Sequence, residues 1–269
     1  MDARPIGVFD SGLGGLTTLK KLMELLPGED MIYLGDTGRV PYGSRSRETI
    51  INYARQDASF LAGYDIKAMV VACNTVCSTA HDILAGDYDI PVYEVVGAPA
   101  NAAASATRNG KIGVIGTAAT IRSGAYEAAL RKASPDLAVS SVPCPLFVPL
   151  AENGRCGADD IAVMAIAEDY LAGLREAAVD TLIMGCTHYP LLRGVISKIM
   201  GPDVALIDSG AETAGLVATE LRARDMLSGK SADGTIRYFV TDSTEGFTEL
   251  ASRFLESDVR GMVQQVTLE

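Results

Sequence analysis

Short apolar runs alternate along the chain with longer stretches in which apolar positions recur at helical spacing. Ile6–Phe9 predicts a buried strand, followed by a glycine-rich turn at residues 12–15 and a helix over Leu16–Leu26 that Pro27-Gly28 terminates. Met31–Leu34 is the next strand. Ser44–Ser46 offer N-caps for a helix reaching Ala62, with Ile50, Ile51, Ala54, Phe60 and Leu61 towards a core. Ala68–Ala72 and Pro91–Val96 predict strands on either side of a helix at Val76–Leu84.

The rhythm then restarts. Ile112–Ile115 and Ala138–Val142 predict strands flanking one helix at Ile121–Ala133. Asp159-Asp160 puts acid at the start of a long helix whose Ile161, Met164, Leu171 and Leu174 fall on one face. Thr181–Met184 and Ala205–Ile207 are strands around a helix at Leu191–Met200. A helix from Ala211, a strand at Ile236–Val240 and a helix near Glu245–Leu255 follow. Strand–helix alternation of this length predicts an α/β protein with mainly parallel sheets. Ala98–Ala106 is Ala-rich, a helix candidate and a weak boundary marker. There is a faint internal echo: Asp10-Ser11-Gly12 and Asp208-Ser209-Gly210 each follow an apolar strand, and Cys73 and Cys186 each end one. Two similar halves, each presenting a cysteine at a strand end, are expected.

Composition adds exclusions. The 269 residues suit one large domain or two smaller ones, and 48% apolar with 21% charged residues suits a folded chain. Lys and Arg number 23 and Asp and Glu 34, a net charge of −11. That argues against a duplex nucleic-acid partner, whose binding rests on neutralising phosphates. It leaves room for a small anionic substrate in a locally positive pocket. The apolar run at residues 68–73 is far too short to span a bilayer, and the N-terminus lacks a secretion signal, so a cytoplasmic protein is expected. Five cysteines in such a chain read as free thiols.

Ligands of α/β sheets gather at the C-terminal strand ends. Four segments there carry polar or reactive side chains: Asp10–Gly15, Gly35–Gly43, Cys73–Thr75 and Cys186–Tyr189. The glycines at 12, 14 and 15 allow a tight turn with amides aimed at an anion. The plainer account is a turn in which Asp10 or Ser11 caps the helix. A lone strand-end cysteine is more often core than reactive. Two of them in one setting, each leading into a helix N-terminus that favours thiolate, shift that balance. His188, two residues after Cys186, is either a hydrogen-bonded loop histidine or a proton-relay partner. Glu152 is by default a surface acid. Cys77 sits in a helix and no CxxC pair exists, so a zinc site is not expected; Cys144 and Cys156 read as structural. His81-Asp82 lacks the histidines an HD-type metal site needs.

Together these segments resemble the glutamate racemases, cofactor-independent members of the aspartate/glutamate racemase superfamily. The matching pieces are Phe9–Gly15, Gly35-Asp36-Thr37 with Pro41-Tyr42-Gly43, Ala72–Thr75, Gly116-Thr117 through Ser123, Cys144–Leu150, Gly185–Leu192 and Ile207–Gly210. The tail at Tyr238–Asp242 with Phe247 is also similar. The resemblance implies two α/β domains facing each other across a cleft, residues 1–98 with 209–269 and residues 99–208. It implies that Cys73 takes the α-proton of D-glutamate and Cys186 that of L-glutamate, with Asp10 and His188 assisting and Glu152 a further acid near the second thiol. It places Ser11, Pro41, Tyr42, Gly43, Asn74, Thr75, Thr117, Thr120 and Thr187 around the substrate. It also implies D-glutamate supply for peptidoglycan, and a homodimer.

The chemistry is intelligible without the name. Inverting a stereocentre through a planar carbanion needs an acid on one face and a base on the other. Two thiols, with an ordinary pKa of about 8.5, can exchange those roles. Hydrogen-bond donors at the substrate carboxylate stabilise the developing charge. A pyridoxal enzyme needs a Schiff-base lysine, and no lysine lies in these motifs, so no cofactor and no metal are expected. Rival readings are aspartate as substrate, a one-cysteine decarboxylase, and a non-catalytic anion-binding module whose cysteines are core.

Overall fold

The computed structural model describes residues 1–268. In chain order its first part runs β1 (Ile6–Asp10), α1 (Leu16–Leu25), β2 (Met31–Gly35), α2 (Arg47–Ala62), β3 (Ala68–Val71), α3 (Asn74–Asp87), β4 (Val92–Glu94) and α4 (Gly97–Ala106). Then come β5 (Lys111–Gly116), α5 (Ala118–Ser123), α6 (Ala125–Ala133), β6 (Ala138–Pro143), α7 (Phe147–Glu152), α8 (Ile161–Glu176), β7 (Thr181–Gly185), α9 (Arg193–Met200) and β8 (Ala205–Asp208). The chain closes with α10 (Ser209–Ala223), β9 (Ile236–Val240), α11 (Thr244–Leu255) and β10 (Val263–Gln265). Single 3-10 turns occupy Tyr42–Ser44 and Tyr189–Leu192.

Two parallel sheets result, as the strand–helix alternation predicts. The larger has the order β10-β9-β2-β1-β3-β4 and the smaller β6-β5-β7-β8. The stretches β2-β1-β3-β4 and β6-β5-β7-β8 therefore share one topology. In each, the first strand is flanked by the next two in sequence, which creates a switch point at its C-terminal end. Cys73 follows β3 and Cys186 follows β7, so the cysteine echo is a true structural equivalence. The Asp-Ser-Gly echo is not: Asp10 ends β1, whereas Asp208 ends β8, the counterpart of β4. The true counterpart of Asp10-Ser11 is Gly116-Thr117 after β5.

The buried strands read as continuous apolar runs because helices cover both faces. The alternation survives in what each side chain touches. Ile6 and Val8 pack with Leu16, Leu19 and Leu22 of α1 and Val217 and Leu221 of α10, while Phe9 points to the opposite core with Ile51, Leu61 and Val76. That second core continues to Ile112, Val114 and Ile183 of the smaller sheet, so one apolar interior joins the two lobes. Leu182 and Met184 face a third core under α8 and α9.

Local signals explain the element limits. Ser46 caps α2 by accepting from the Thr49 amide, and Asp160 caps α8 by accepting from Ala162 and Val163. The helix expected over Ile121–Ala133 is instead two, α5 and α6, because Gly124 adopts a left-handed φ of 65° between them. Helix α3 begins directly after Cys73, two residues earlier than the apolar pattern suggests. The Ala-rich stretch is α4. No helix among the described residues is long and apolar enough to cross a membrane.

Candidate active site

The C-terminal ends of β1, β2 and β3 face those of β5, β6 and β7 across a cavity of about 610 Å³. Each of these six strand ends contributes to its wall. Cys73 and Cys186 both line it, one from each lobe, as do Ser11, Asn74, Thr75, Thr117, Thr187 and His188. Pro41, Tyr42, Gly43 and Glu152 are also on the wall. Thr120, expected at the substrate, and Asp10, expected to assist Cys73, are not on this wall. Thr120 is buried behind the wall, where its hydroxyl pairs with Thr117 Oγ1 at 3.0 Å and its amide donates to that same oxygen. Asp10 lies beneath the glycine turn, 1% exposed.

On the Cys73 side, the thiol donates to Ser11 Oγ at 3.4 Å. Burial, followed by the charge of Asp10, pushes Cys73 up to about 12, so it rests as a thiol. Asp10 is itself raised by burial, a shift that the charge of His188 opposes. Its Oδ2 accepts from the Gly12 amide at 2.9 Å, and its Oδ1 has no hydrogen-bond partner among the described residues. Asp10 therefore does not cap α1, whose N-cap is Gly15 without a side-chain bond. Tyr33 donates to the Gly12 carbonyl at 2.8 Å from below and fixes the turn.

On the Cys186 side, Sγ lies 3.9 Å from His188 Nδ1, and His188 Nε2 lies 3.0 Å from Glu152 Oε1. Burial disfavours charge on His188, but its bonds to Cys186 and Glu152 outweigh that and raise it to about 10. The ring is therefore an imidazolium near neutral pH. The two thiols thus stand in unlike settings, one beside a raised carboxyl and one beside a cation.

Hydroxyl chains tie the lobes. Thr75 Oγ1 pairs with Thr117 Oγ1 at 3.0 Å across the cavity, and Thr17 Oγ1 donates to the Thr187 carbonyl at 3.0 Å. Within the first lobe, Asn74 exchanges hydrogen bonds with Ser209 at 3.2 and 3.3 Å. Glycines 12, 14 and 15 do not use positive φ. They serve close approach: a Cβ on Gly14 would collide with Thr187 Oγ1 and with the His188 ring, and one on Gly15 with Asp10.

The segment Val40–Ser44 forms another part of the wall. Tyr42 turns its hydroxyl away from the cavity, into a buried group with Asp36 and Asp57, 3.0 Å from Asp57 Oδ2. Arg39 joins both carboxylates, at 2.6 Å to Asp36 and 3.0 Å to Asp57.

The sequence reading missed Arg122 on α5 and the apolar rim of Pro145, Val148 and Pro149, all on the wall. Their signal was positional, since they follow β5 and β6 as the recognised residues follow β1 and β2. Cys77 is a core residue, its thiol donating to the Val71 carbonyl at 3.0 Å. Cys144 is buried and Cys156 half-buried.

The family model for Asp/Glu/hydantoin racemase matches residues 20–217. The chain belongs to this racemase family. A glutamate racemase of Geobacter metallireducens is 49% identical over 269 residues, covering 100% of this chain and 98% of the relative. A glutamate racemase isoform of Bacillus anthracis superposes with a TM-score of 0.95 at 39% identity, over 100% of this chain and 99% of that one. A glutamate racemase of Francisella tularensis, solved in complex with D-glutamate, gives 0.92 at 38%, over 100% and 99%. This racemase chain thus matches glutamate racemases over its whole length, as the motifs suggest.

Proposed function

We propose that the chain interconverts L- and D-glutamate by a two-thiol mechanism without an organic cofactor. The observation that supports this reading is the pair of strand-end thiols lining one cavity from opposite lobes. In the L-to-D direction Cys186 takes the α-proton, and the Cys73 thiol delivers its proton to the opposite face of the carbanion. His188 is the charge beside Cys186, and Glu152 keeps that ring oriented and protonated. In the reverse direction Cys73 takes the α-proton while Asp10, whose raised pKa makes it a stronger base, accepts the thiol proton. Ser11, Asn74, Thr75, Thr117 and Thr187 with nearby amides hold the substrate carboxylates and stabilise the developing charge. Pro41, Tyr42 and Gly43 shape the wall, and Thr120 acts by holding Thr117. Residues 1–98 with 209–269 and residues 99–208 are the two domains, in a cytoplasmic homodimer supplying D-glutamate for peptidoglycan.

The test is α-proton exchange in D₂O with each enantiomer, no cofactor added, followed by NMR and circular dichroism. Wild type exchanges and inverts both. Cys73→Ser exchanges only L-glutamate and Cys186→Ser only D-glutamate, each without inversion. Full activity in either variant sinks the two-thiol mechanism. No exchange with glutamate but exchange with aspartate would change the substrate.

A further inference from the structure

Beside the substrate cavity, three arginines line a surface groove of about 450 Å³. Arg45 and Arg47 come from the start of α2 on one lobe, and Arg122 from α5 on the other. No carboxylate lines this groove, in a chain of net charge −11. Arg39, Arg55, Arg155 and Arg224 each pair with an acid, and Arg108, Arg193 and Arg222 bond backbone carbonyls. Arg45, Arg47 and Arg122 pair with none among the described residues. Glu48, the acid in the first turn of α2, lies outside the groove.

The remaining polar groups are already committed. Ser46 pairs with Thr49, Ser78 and Thr79 donate to the Thr75 carbonyl, and Ser123 donates to the Thr120 carbonyl. The three arginines are thus the lining side chains whose donors make no hydrogen bond among the described residues. Three like charges around one space repel one another, and Arg47 adds its charge at the positive end of the α2 dipole. An anion relieves both costs.

We propose that Arg45, Arg47 and Arg122 form a second anion site, for a phosphate-class ligand bridging the two lobes. Several guanidinium forks suit a dianion with three or more equivalent oxygens better than a single carboxylate. The groove also has room for more than a bare ion, so a phosphate ester is an admissible form of the same chemistry.

The test is calorimetric titration of the full chain at low salt with inorganic phosphate and, separately, glycerol phosphate. Both are run with the substrate cavity saturated by glutamate. Arg45→Ala and Arg47→Ala, surface changes whose folding is checked by thermal melts, should each weaken binding roughly tenfold or more. Arg175→Ala, on α8, should leave it unchanged. Tighter binding of the ester would make an ester the occupant, and tighter binding of phosphate the free ion. Binding that glutamate displaces, or that both substitutions spare, would put phosphate elsewhere and overturn the site. So would titration that does not saturate.

Discussion

His188 Nε2 lies 3.0 Å from Glu152 Oε1, so a carboxylate braces the imidazole from the side opposite Cys186. With the ring raised to about 10, His188 is a buried cation that Glu152 holds in place. Glu152→Gln removes the carboxylate that favours the imidazolium. His188 should then titrate lower, read by proton NMR. The chain has two histidines, so His81→Asn assigns the signals. Racemisation has an equilibrium constant of unity by symmetry, so kcat/KM must fall equally in both directions. The asymmetry should appear as an α-deuterium isotope effect that changes more for L- than for D-glutamate. An unmoved His188 titration would remove Glu152 from this role.

The same shift predicts a pH-dependent stability. A histidine raised above its unfolded value of about 6.5 stabilises the fold fully below that pH and loses the contribution as pH rises through about 10. The stability gap between wild type and His188→Gln should be widest near pH 6, narrow through pH 8 and 9, and close above pH 10. Urea melts at four pH values measure it. A gap that widens with pH has the wrong sign for this account.

Asp10 carries the opposite linkage. Burial raises it, so its charge destabilises the fold as pH climbs above the ordinary carboxylate range. Asp10→Asn keeps an oxygen for the Gly12 amide and removes the charge. It should raise the thermal midpoint at pH 8, have little effect below pH 4, and lower kcat on the order of a hundredfold as a lost acid–base group. Loss of both stability and activity at pH 8 would make Asp10 an ordinary structural acid.

The parallel α/β class, both strand-end cysteines and most of the cavity wall were legible because strand ends and reactive residues coincide in the sequence. What escaped was set by contacts between distant segments. Gly14 reads locally as turn flexibility, yet its φ is ordinary and what requires glycine is the Thr187-His188 pair of the other lobe. Thr120 shares a motif with Thr117 but points behind it. Arg122 falls inside what reads as one helix until Gly124 breaks it, and Asp208-Ser209-Gly210 imitates a site motif on the wrong strand.

Gly14→Ala turns that contact into a measurement. The added methyl has nowhere to go unless Thr187 and His188 shift, while the turn's own conformation tolerates alanine. The variant should melt within a few degrees of wild type yet lose at least tenfold in kcat, since misplacing a reacting group by about 1 Å can cost a hundredfold. Wild-type turnover would show that the lobes part easily at this point.

Asp57 acts on the site through Tyr42. The tyrosine has one hydroxyl proton and two carboxyl neighbours, so bonding both Asp36 and Asp57 requires a proton on one of them. Burial, then the charge of Asp36, raises Asp57 well above the carboxylate range and makes it the neutral member. Asparagine copies a neutral acid here, offering an oxygen to Arg39 and an N–H to Tyr42. Leucine leaves the Tyr42 hydroxyl and the Arg39 guanidinium short of a partner, at about 1–3 kcal/mol. It also frees the Val40–Ser44 wall to move. Asp57→Asn should therefore keep KM for glutamate within about twofold, and Asp57→Leu should raise it roughly tenfold with a smaller change in kcat, consistent with loss of substrate positioning rather than of chemistry. Equal damage from both variants would mean that Asp57 works as a charge, and that the proton in this network belongs to Asp36.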